Sequence, residues 1–436
     1  MELIVLLLFC AGLLVCVATG WSIMYALGAG LALFVLYGRG KGFGWRELLT
    51  IALSGVETVK NILIAFILIG MLTALWRAAG TIPVVVSYAA RLIHPGVFVL
   101  MTFVLNALIS VLTGTAFGTA ATMGVICATM GTSMGIDPVL VGGAMLSGAY
   151  FGDRCSPVST SALLVSEVTG TNIFRNIRNM AGSCLVPFVL TCAIYAAAGL
   201  GGTGAGGAPD LRALFRREFV LHWAALLPAV VILGLSVLRV NVKLAMSASI
   251  LTALPVALLV QGVEAVQLPR ILLLGYEAAD SQVADMLNGG GIVSMVRVAL
   301  IITISSAYSG IFRATGLLDG AKGLVERVSD RAGRFAAFVL TATVTGVIAC
   351  NQTLTILLTH QLCAQLEEDR ERLALALEDS AVVIAPLVPW SIAGAVPLTT
   401  VGAPVASLLW TCYLYLLPLW RLLVCAVKRT RGATTP

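Results

Sequence analysis

The chain has 436 residues and a formal net charge of +6, from 27 Lys and Arg against 21 Asp and Glu. Apolar residues make up 59% of it and charged residues only 11%, whereas soluble domains average roughly 45–50% and 25%. No soluble fold could bury so much apolar surface. Composition therefore predicts an integral membrane protein and excludes disordered, collagen-like, disulfide-framework and nucleic-acid-binding classes.

Apolar segments follow one another along the whole chain. A membrane span needs about 20 apolar residues, and the candidate segments are 3–19, 21–38, 58–77, 96–114, 119–135, 139–165, 180–200, 219–238, 243–262, 291–313, 334–350, 351–366, 379–400 and 404–427. These are too many for every one to be a simple span, so some should be broken or re-entrant helices. We predict an all-α polytopic membrane protein with about 10–13 membrane segments.

The two halves of the chain resemble each other. Residues 72–80, LTALWRAAG, recur as 308–316, YSGIFRATG, which aligns Arg77 with Arg313. A Gly-rich stretch without periodicity separates the halves. The sequence therefore predicts a first repeat over 1–198, a linker over 199–218 and a second repeat over 219–436.

Loop charges predict that the second repeat is inverted in the membrane. The loop 39–47 holds three basic residues, whereas the equivalent loop, 263–285, holds four acidic residues and one Arg. The loop 80–95 has one Arg, and its counterpart, 317–334, has four basic residues. Because basic loops stay in the cytoplasm, equivalent loops would face opposite sides, as in many secondary transporters. Both termini are then expected in the cytoplasm.

An acidic residue interrupts the apolar segment 139–165. Asp153 lies well inside this segment, and a charge at membrane depth is costly enough to indicate function. Gly152 precedes it and Pro157 follows it. Since Gly frees the backbone and Pro removes a hydrogen-bond donor, we predict that the helix breaks here.

Hydroxyl side chains surround this predicted break. They belong to Ser156, Ser159, Thr160 and Ser161. Together with Asp153 and the carbonyls of a broken helix, they offer the oxygen ligands that a hard cation such as Na⁺ prefers. In the alternative interpretation, Asp153 forms an ion pair with Arg154 or caps the next helix.

A second acidic element begins the apolar segment 379–400. Glu378 and Asp379 are adjacent, and the prolines that break the segment are Pro386, Pro389 and Pro397. Two carboxylates so close should not both ionise easily, so one could exchange a proton for a cation. The alternative is an ordinary N-cap formed by Asp379 and Ser380.

Further polar residues lie in apolar surroundings. Thr115 in the first half and Asn351 with Gln352 in the second are candidates for binding a cation or a substrate, although polar side chains also hold helices together. Arg297 could neutralise a buried acid, bind an anionic substrate or extend to the membrane surface. No phosphate-binding loop or metal-ligand cluster is present in the sequence. Nothing therefore indicates direct use of ATP, and we expect no cofactor beyond Na⁺ and H⁺ as transported or coupling ions.

The two acidic motifs resemble those of the NhaC-type sodium/proton antiporter family, within the ion-transporter superfamily of inverted-repeat carriers. Its members typically show a pattern like GD..SP.SDTT in the first half and one like LEDS...SPL.PWN in the second. This chain has GDRCSPVST at 152–160, LEDS at 377–380 and PLVPWS at 386–391. The resemblance covers most of the chain.

The resemblance implies scaffold and transport regions around a midplane site, an elevator-like movement and a homodimer in the bilayer. It implies that Asp153 binds Na⁺ or carries the exchanged proton, and that Glu378 and Asp379 supply the second acidic element. The further cation ligands that it implies are Asn351, Ser156 and Ser159. The leading hypothesis is thus a Na⁺/H⁺ antiporter of the bacterial inner membrane.

Two departures from the family pattern support a second hypothesis. Thr160 stands where an Asp is expected, and Ser391 stands where an Asn is expected. Relatives of this type include exchangers of small organic acids and amino acids. The alternative is therefore a Na⁺- or H⁺-coupled transporter of a small carboxylate or amino acid, which Ser391, Arg297 and Gln352 would contact.

Two other classes fit the sequence less well. An intramembrane protease would need a nucleophile and a base at membrane depth, and His360 has no evident Ser partner in the sequence. A channel would not need the broken-helix motif twice. We therefore expect a transporter and not an enzyme.

Overall fold

The protein is helical throughout the part that a computed structural model describes. The described residues are 2–19, 21–57, 59–89, 95–157, 159–201, 211–238, 240–316 and 322–432. Within these ranges the β-structure is one isolated bridge, between Tyr276 and Gly289. The prediction of an all-α protein is therefore confirmed for the described residues.

The first half of the chain contributes twelve α-helices to the described structure. They are α1 (Glu2–Thr19), α2 (Ile23–Gly40), α3 (Trp45–Glu57), α4 (Lys60–Ala78), α5 (Thr81–Ala89), α6 (Pro95–Thr113), α7 (Ala116–Thr119), α8 (Val125–Ser133), α9 (Pro138–Cys155), α10 (Thr160–Thr169), α11 (Ile173–Gly201) and α12 (Leu211–Phe215). A π-helical turn over Ala120–Gly124 joins α7 to α8.

The second half also contributes twelve α-helices to the described structure. They are α13 (Leu227–Val237), α14 (Val242–Leu259), α15 (Leu268–Leu274), α16 (Ser281–Leu287), α17 (Ile292–Thr315), α18 (Lys322–Ala332), α19 (Arg334–Ala349), α20 (Gln352–Cys363), α21 (Arg370–Glu378), α22 (Ala381–Ile384), α23 (Ile392–Val401) and α24 (Cys412–Gly432). Short 3₁₀ turns extend several of them.

Several of these helices have the length and composition to cross a membrane. Among the described residues five qualify, or up to seven if each of two bent helix pairs forms one span. The bends are 46° between α3 and α4 and 53° between the segment 370–387 and α23. Five further apolar helices are only 10–17 residues long, so the total number of segments stays a prediction.

Both helix breaks that the motifs predict are confirmed. In the first half α9 ends at Cys155 and α10 begins at Thr160. In the second half α21 ends at Glu378, and α23 begins only at Ile392. A proline lies in each interruption and removes a backbone donor there. The predicted break at Pro397 is wrong, because this proline lies inside α23.

The two halves repeat the same backbone conformations. After α6, Gly114 has φ +66°, and after α19, Cys350 has φ +56°. The next residues, Thr115 and Asn351, have φ, ψ of −154°, 130° and −157°, 136° and cap α7 and α20. These matches fit a duplicated chain, whereas the inverted orientation of the second half stays a prediction.

Two apolar cores meet at α23. One core includes residues of α4, α8, α14 and α17, and the other includes residues of α6, α9 and α24. Residues from α23 belong to both: Ile392 to the first and Ala393 to the second. The start of α23 therefore lies at the boundary between the two cores, beside the broken helices.

Close packing of α6 on α9 depends on glycine. A Cβ atom at Gly152 would lie 2.5 Å from the backbone nitrogen of Val111 and closer still to Ser110. We therefore expect Gly152→Ala to lower the stability of the purified protein by about 1–3 kcal/mol or more, measured as thermal unfolding in detergent. Gly182→Ala is the matched control, because a Cβ there meets open space. Equal stability of the two variants would contradict this packing.

Candidate ion-binding site

A cavity of about 450 Å³ lies at the boundary of the two cores. Residues of α4, α14 and α17 line part of it. Its lining also includes residues that the sequence singled out, namely Thr115, Thr160, Asn351 and Gln352. The structure thus brings residues from both halves of the chain to one cavity, with Thr115 and Asn351 separated by 351 − 115 = 236 positions.

Asp153 does not line the cavity but contacts the lining residue Gln352. Its carboxylate is buried, with 4% of the residue exposed. Ser159 Oγ donates to Oδ1 at 2.9 Å, and Ser161 Oγ donates to Oδ2 at 2.8 Å. Gln352 Nε2 approaches Oδ2 at 3.5 Å and also lines the cavity. The carboxylate is therefore surrounded by oxygen-bearing side chains, and the Gln352 side chain links it to the cavity.

Five helices begin at the cavity, namely α7, α10, α14, α20 and α23. Their N-caps, each of which accepts a hydrogen bond from a backbone N–H in the first turn, are Thr115, Ser159, Asn241, Asn351 and Ser391. Helix N-termini carry partial positive charge. They can stabilise the Asp153 carboxylate, and they can also attract an anion into the cavity.

Arg154 does not pair with Asp153. Its buried guanidinium contacts the Asp379 carboxylate and donates to Ser183 Oγ at 2.9 Å and to Tyr413 Oη at 3.3 Å. Neighbouring residues of a helix point about 100° apart, so Asp153 faces Ser159 while Arg154 faces α11 and α24. The alternative of an Asp153–Arg154 ion pair is wrong.

Asp379 is a paired acid rather than a helix cap. Its Oδ1 accepts from Ser183 at 3.0 Å as well as from Arg154, and its Oδ2 lies 2.7 Å from Arg421 Nε. It is the C-cap residue that follows α21, and the Ser380 hydroxyl donates to the Ala376 carbonyl rather than capping α22. The alternative in which Asp379 and Ser380 form an ordinary N-cap is therefore wrong.

Glu378 differs from its neighbour. It is fully buried, and neither of its carboxyl oxygens has a hydrogen-bond partner in the described part of the chain. The charges of Arg154, Asp153 and Asp379 all act on it. An unpaired buried carboxyl is costly, and such a group calls for a functional explanation.

Three other predicted site residues lie apart from the Asp153 carboxylate. Ser156 Oγ donates to the Val111 carbonyl at 2.7 Å and so ties the broken helix to α6. Arg297 is exposed on α17 and does not line the cavity. Ser391 is buried and caps α23, and its hydroxyl accepts from the Ala393 nitrogen at 3.3 Å.

Sequence reasoning missed three members of the buried network. Ser183 and Tyr413 contact Arg154, and Arg421 contacts Asp379. Arg421 had a detectable signal, because it is a charge inside the apolar segment 404–427. A Ser and a Tyr in apolar helices carry no such signal.

The serine hydroxyls should matter for cation affinity. We expect Ser161→Ala to raise the Na⁺ concentration for half-maximal transport by roughly tenfold, since one hydrogen bond to a charged group contributes about 1.5–3 kcal/mol. Ser166→Ala is the control, because its hydroxyl bonds the Thr171 carbonyl on the same helix end. Titration of transport with Na⁺ in vesicles gives the half-maximal concentration for both variants. An unchanged value for Ser161→Ala would show that this hydroxyl does not contribute to cation affinity.

A buried carboxylate between broken helices, beside a cavity in an apolar helical bundle, is the arrangement of a secondary transporter. Comparison with known proteins supports this class. The chain matches the sequence model of the Na⁺/H⁺ antiporter family over residues 1–166 and 148–425. It therefore belongs to the Na⁺/H⁺ antiporter family, whose members are membrane transporters and not enzymes.

Proteins with similar sequences are named for different transported substrates. It is 27% identical over 405 residues to the Na⁺/H⁺ antiporter NhaC of Alkalihalophilus pseudofirmus, covering 90% of this chain and 87% of that one. It is 26% identical to a malate-2H⁺/Na⁺-lactate antiporter of Bacillus subtilis, covering 89% and 86%. It is 29% identical to the arginine/ornithine antiporter ArcD of Halobacterium salinarum, covering 85% and 79%.

Proposed function

We propose that this protein exchanges Na⁺ for H⁺ at Asp153. The observation that carries the proposal is the buried carboxylate with a Ser hydroxyl on each oxygen and Gln352 between it and the cavity. A carboxylate can hold either a proton or a sodium ion, and hydroxyl oxygens can turn their lone pairs toward a hard cation. Competition for one site couples the two ions when the site is exposed to each side in turn.

Other residues have supporting roles in this proposal. Ser159 and Thr160 supply oxygen ligands at the start of α10, while Asn351 and Thr115 cap two of the five helices that begin at the cavity. Glu378 is the second acid that interacts with Asp153. Asp379 keeps Arg154 in place and does not bind the cation.

We further propose the arrangement in the membrane. The repeats 1–198 and 219–436, joined by the linker 199–218, have inverted orientations and form scaffold and transport regions that move past each other. The protein is a homodimer in the bacterial inner membrane with both termini in the cytoplasm. The basic loops and the family resemblance support these points.

A second candidate function has an observation of its own. The cavity of about 450 Å³ is in the range of small-molecule sites and is far larger than a sodium ion. Lys243 lines it beside the five helix N-termini, and this surrounding favours a carboxylate. The chain would then couple Na⁺ or H⁺ to a small organic acid or amino acid, the kinds of cargo that the names of two relatives state.

Purified protein in sealed liposomes containing a pH dye tests both functions. External Na⁺ should make the lumen more alkaline within seconds, whereas protein-free liposomes should not respond. Li⁺ and K⁺ added in the same way define the selectivity. If folded protein moves no protons with any cation, Na⁺/H⁺ exchange is excluded. Sodium-driven uptake of labelled malate, lactate or basic amino acids would then establish the second function.

A further inference from the structure

A second cavity, of about 620 Å³, lies apart from the central one and shares no lining residue with it. The junction of α18 and α19, the start of α21 and the end of α24 form its walls. Its charged lining residues are Arg334, Arg372, Arg421 and Glu367. Such a lining suits water better than lipid.

Arg421 stands between this cavity and the buried acids. Its side chain is 23% exposed and lines the cavity, while its Nε lies 2.7 Å from Asp379 Oδ2 in the fully buried interior. Its guanidinium also lies 5.7 Å from the centre of the Phe335 ring. The side chain therefore fills the path from the cavity to Asp379.

Polar groups continue from Asp379 to the proposed ion site. Arg154 contacts Asp379, and its Nε donates to the Glu378 carbonyl at 3.2 Å. The Glu378 carboxyl has no hydrogen-bond partner among the described residues, and the charge of Asp153 acts on it. Charged groups thus extend from the second cavity toward Asp153, which Gln352 links to the central cavity.

We propose that Arg421 closes a second aqueous route to the buried acids and so prevents protons from crossing the protein without Na⁺. A guanidinium stays charged at all relevant pH values. It repels a hydrated proton and cannot itself pass one on. The other charged groups on this side are already paired, Arg334 with Glu367 at 3.4 Å and Arg372 with Asp369 at 3.5 Å. The inference rests on the proposed function only in taking Asp153 as the proton-exchanging acid.

A proton-leak measurement without sodium tests this inference. Liposomes loaded with K⁺ and treated with valinomycin develop an inside-negative potential that pulls protons inward. We expect liposomes with wild-type protein to admit protons slowly and those with Arg421→Ala to admit them roughly tenfold faster or more. The reason is that a fixed positive charge strongly repels a second positive charge a few ångströms away. Arg421→Lys keeps the charge and should leak less than Arg421→Ala. Arg334→Ala, in the same cavity but away from Asp379, should match the wild type.

A labelling experiment on the wild-type protein tests the same inference without depending on whether Arg421→Ala folds. Cys425 lines the second cavity and is partly exposed. A charged, water-soluble thiol reagent should modify it in liposomes, as peptide mass spectrometry can detect, with Cys425→Ser as the blank. A folded Arg421→Ala without a leak, or a Cys425 that only a membrane-soluble reagent reaches, would overturn the inference. Neither readout uses Na⁺, so both outcomes are independent of the exchange assay.

Discussion

Asp153→Asn should abolish sodium-dependent proton movement in liposomes while leaving a folded protein. Asn has nearly the same shape, and its amide oxygen can still accept from Ser159 or Ser161, so the broken helix keeps its local contacts. It cannot bind a proton or compensate the charge of Na⁺. The expected result is a dye response no larger than that of protein-free liposomes, at every sodium concentration.

The control for this variant lies on the same helix. Asp137 is exposed and caps the start of α9, where its Oδ1 accepts from the Val139 nitrogen at 2.8 Å. Asp137→Asn keeps an acceptor for this cap and should transport like the wild type. Sodium-dependent proton movement that survives in folded Asp153→Asn would move the exchange site to another acid. Glu378 would then be the first to test.

Arg154→Gln should destabilise the protein more than any other single change on the buried network. The residue is fully buried, and its loss leaves Asp379 with only the neutral Ser183 hydroxyl on Oδ1 and the partly exposed Arg421 on Oδ2. Breaking one side of a buried ion pair costs about 3–5 kcal/mol when the remaining charge is uncompensated, and the partly exposed Arg421 compensates Asp379 only in part. We expect a clear fall in the thermal unfolding temperature in detergent and less folded protein in the membrane.

A double variant separates the lost charge from lost packing. Arg154→Gln with Asp379→Asn removes both charges and should be more stable than Arg154→Gln alone. Arg175→Gln is the surface control, since Arg175 is 63% exposed and pairs with Glu371 at 2.6 Å, where a pair contributes about 0–1 kcal/mol. If Arg154→Gln unfolds at the wild-type temperature, this ion pair does not stabilise the fold.

The class of protein and its helix breaks could be predicted from the sequence because both depend on local chemistry. Apolar composition predicts the membrane, and prolines near acids predict the interruptions after α9 and α21. The motifs around Asp153 and Glu378 indicated the antiporter family, which the family match confirms. The segments 72–80 and 308–316 are 308 − 72 = 236 positions apart, the same separation as Thr115 and Asn351, and the backbone angles of these two residues agree.

Side-chain contacts between residues that are distant in the sequence could not be predicted from local chemistry. Sequence periodicity does not tell which of two adjacent residues faces which helix, so Asp153 and Arg154 remained a possible pair until the structure placed them on different faces. Gln352 reaches Asp153 across 199 positions, and Arg421 reaches Asp379 across the apolar core. Arg297, by contrast, lies exposed on α17. The sequence determined that a membrane transporter with buried acids would form. Only tertiary packing decided which acid lies next to the cavity lining and which is neutralised, because the charge balance of a buried group depends on neighbours that are distant in the chain.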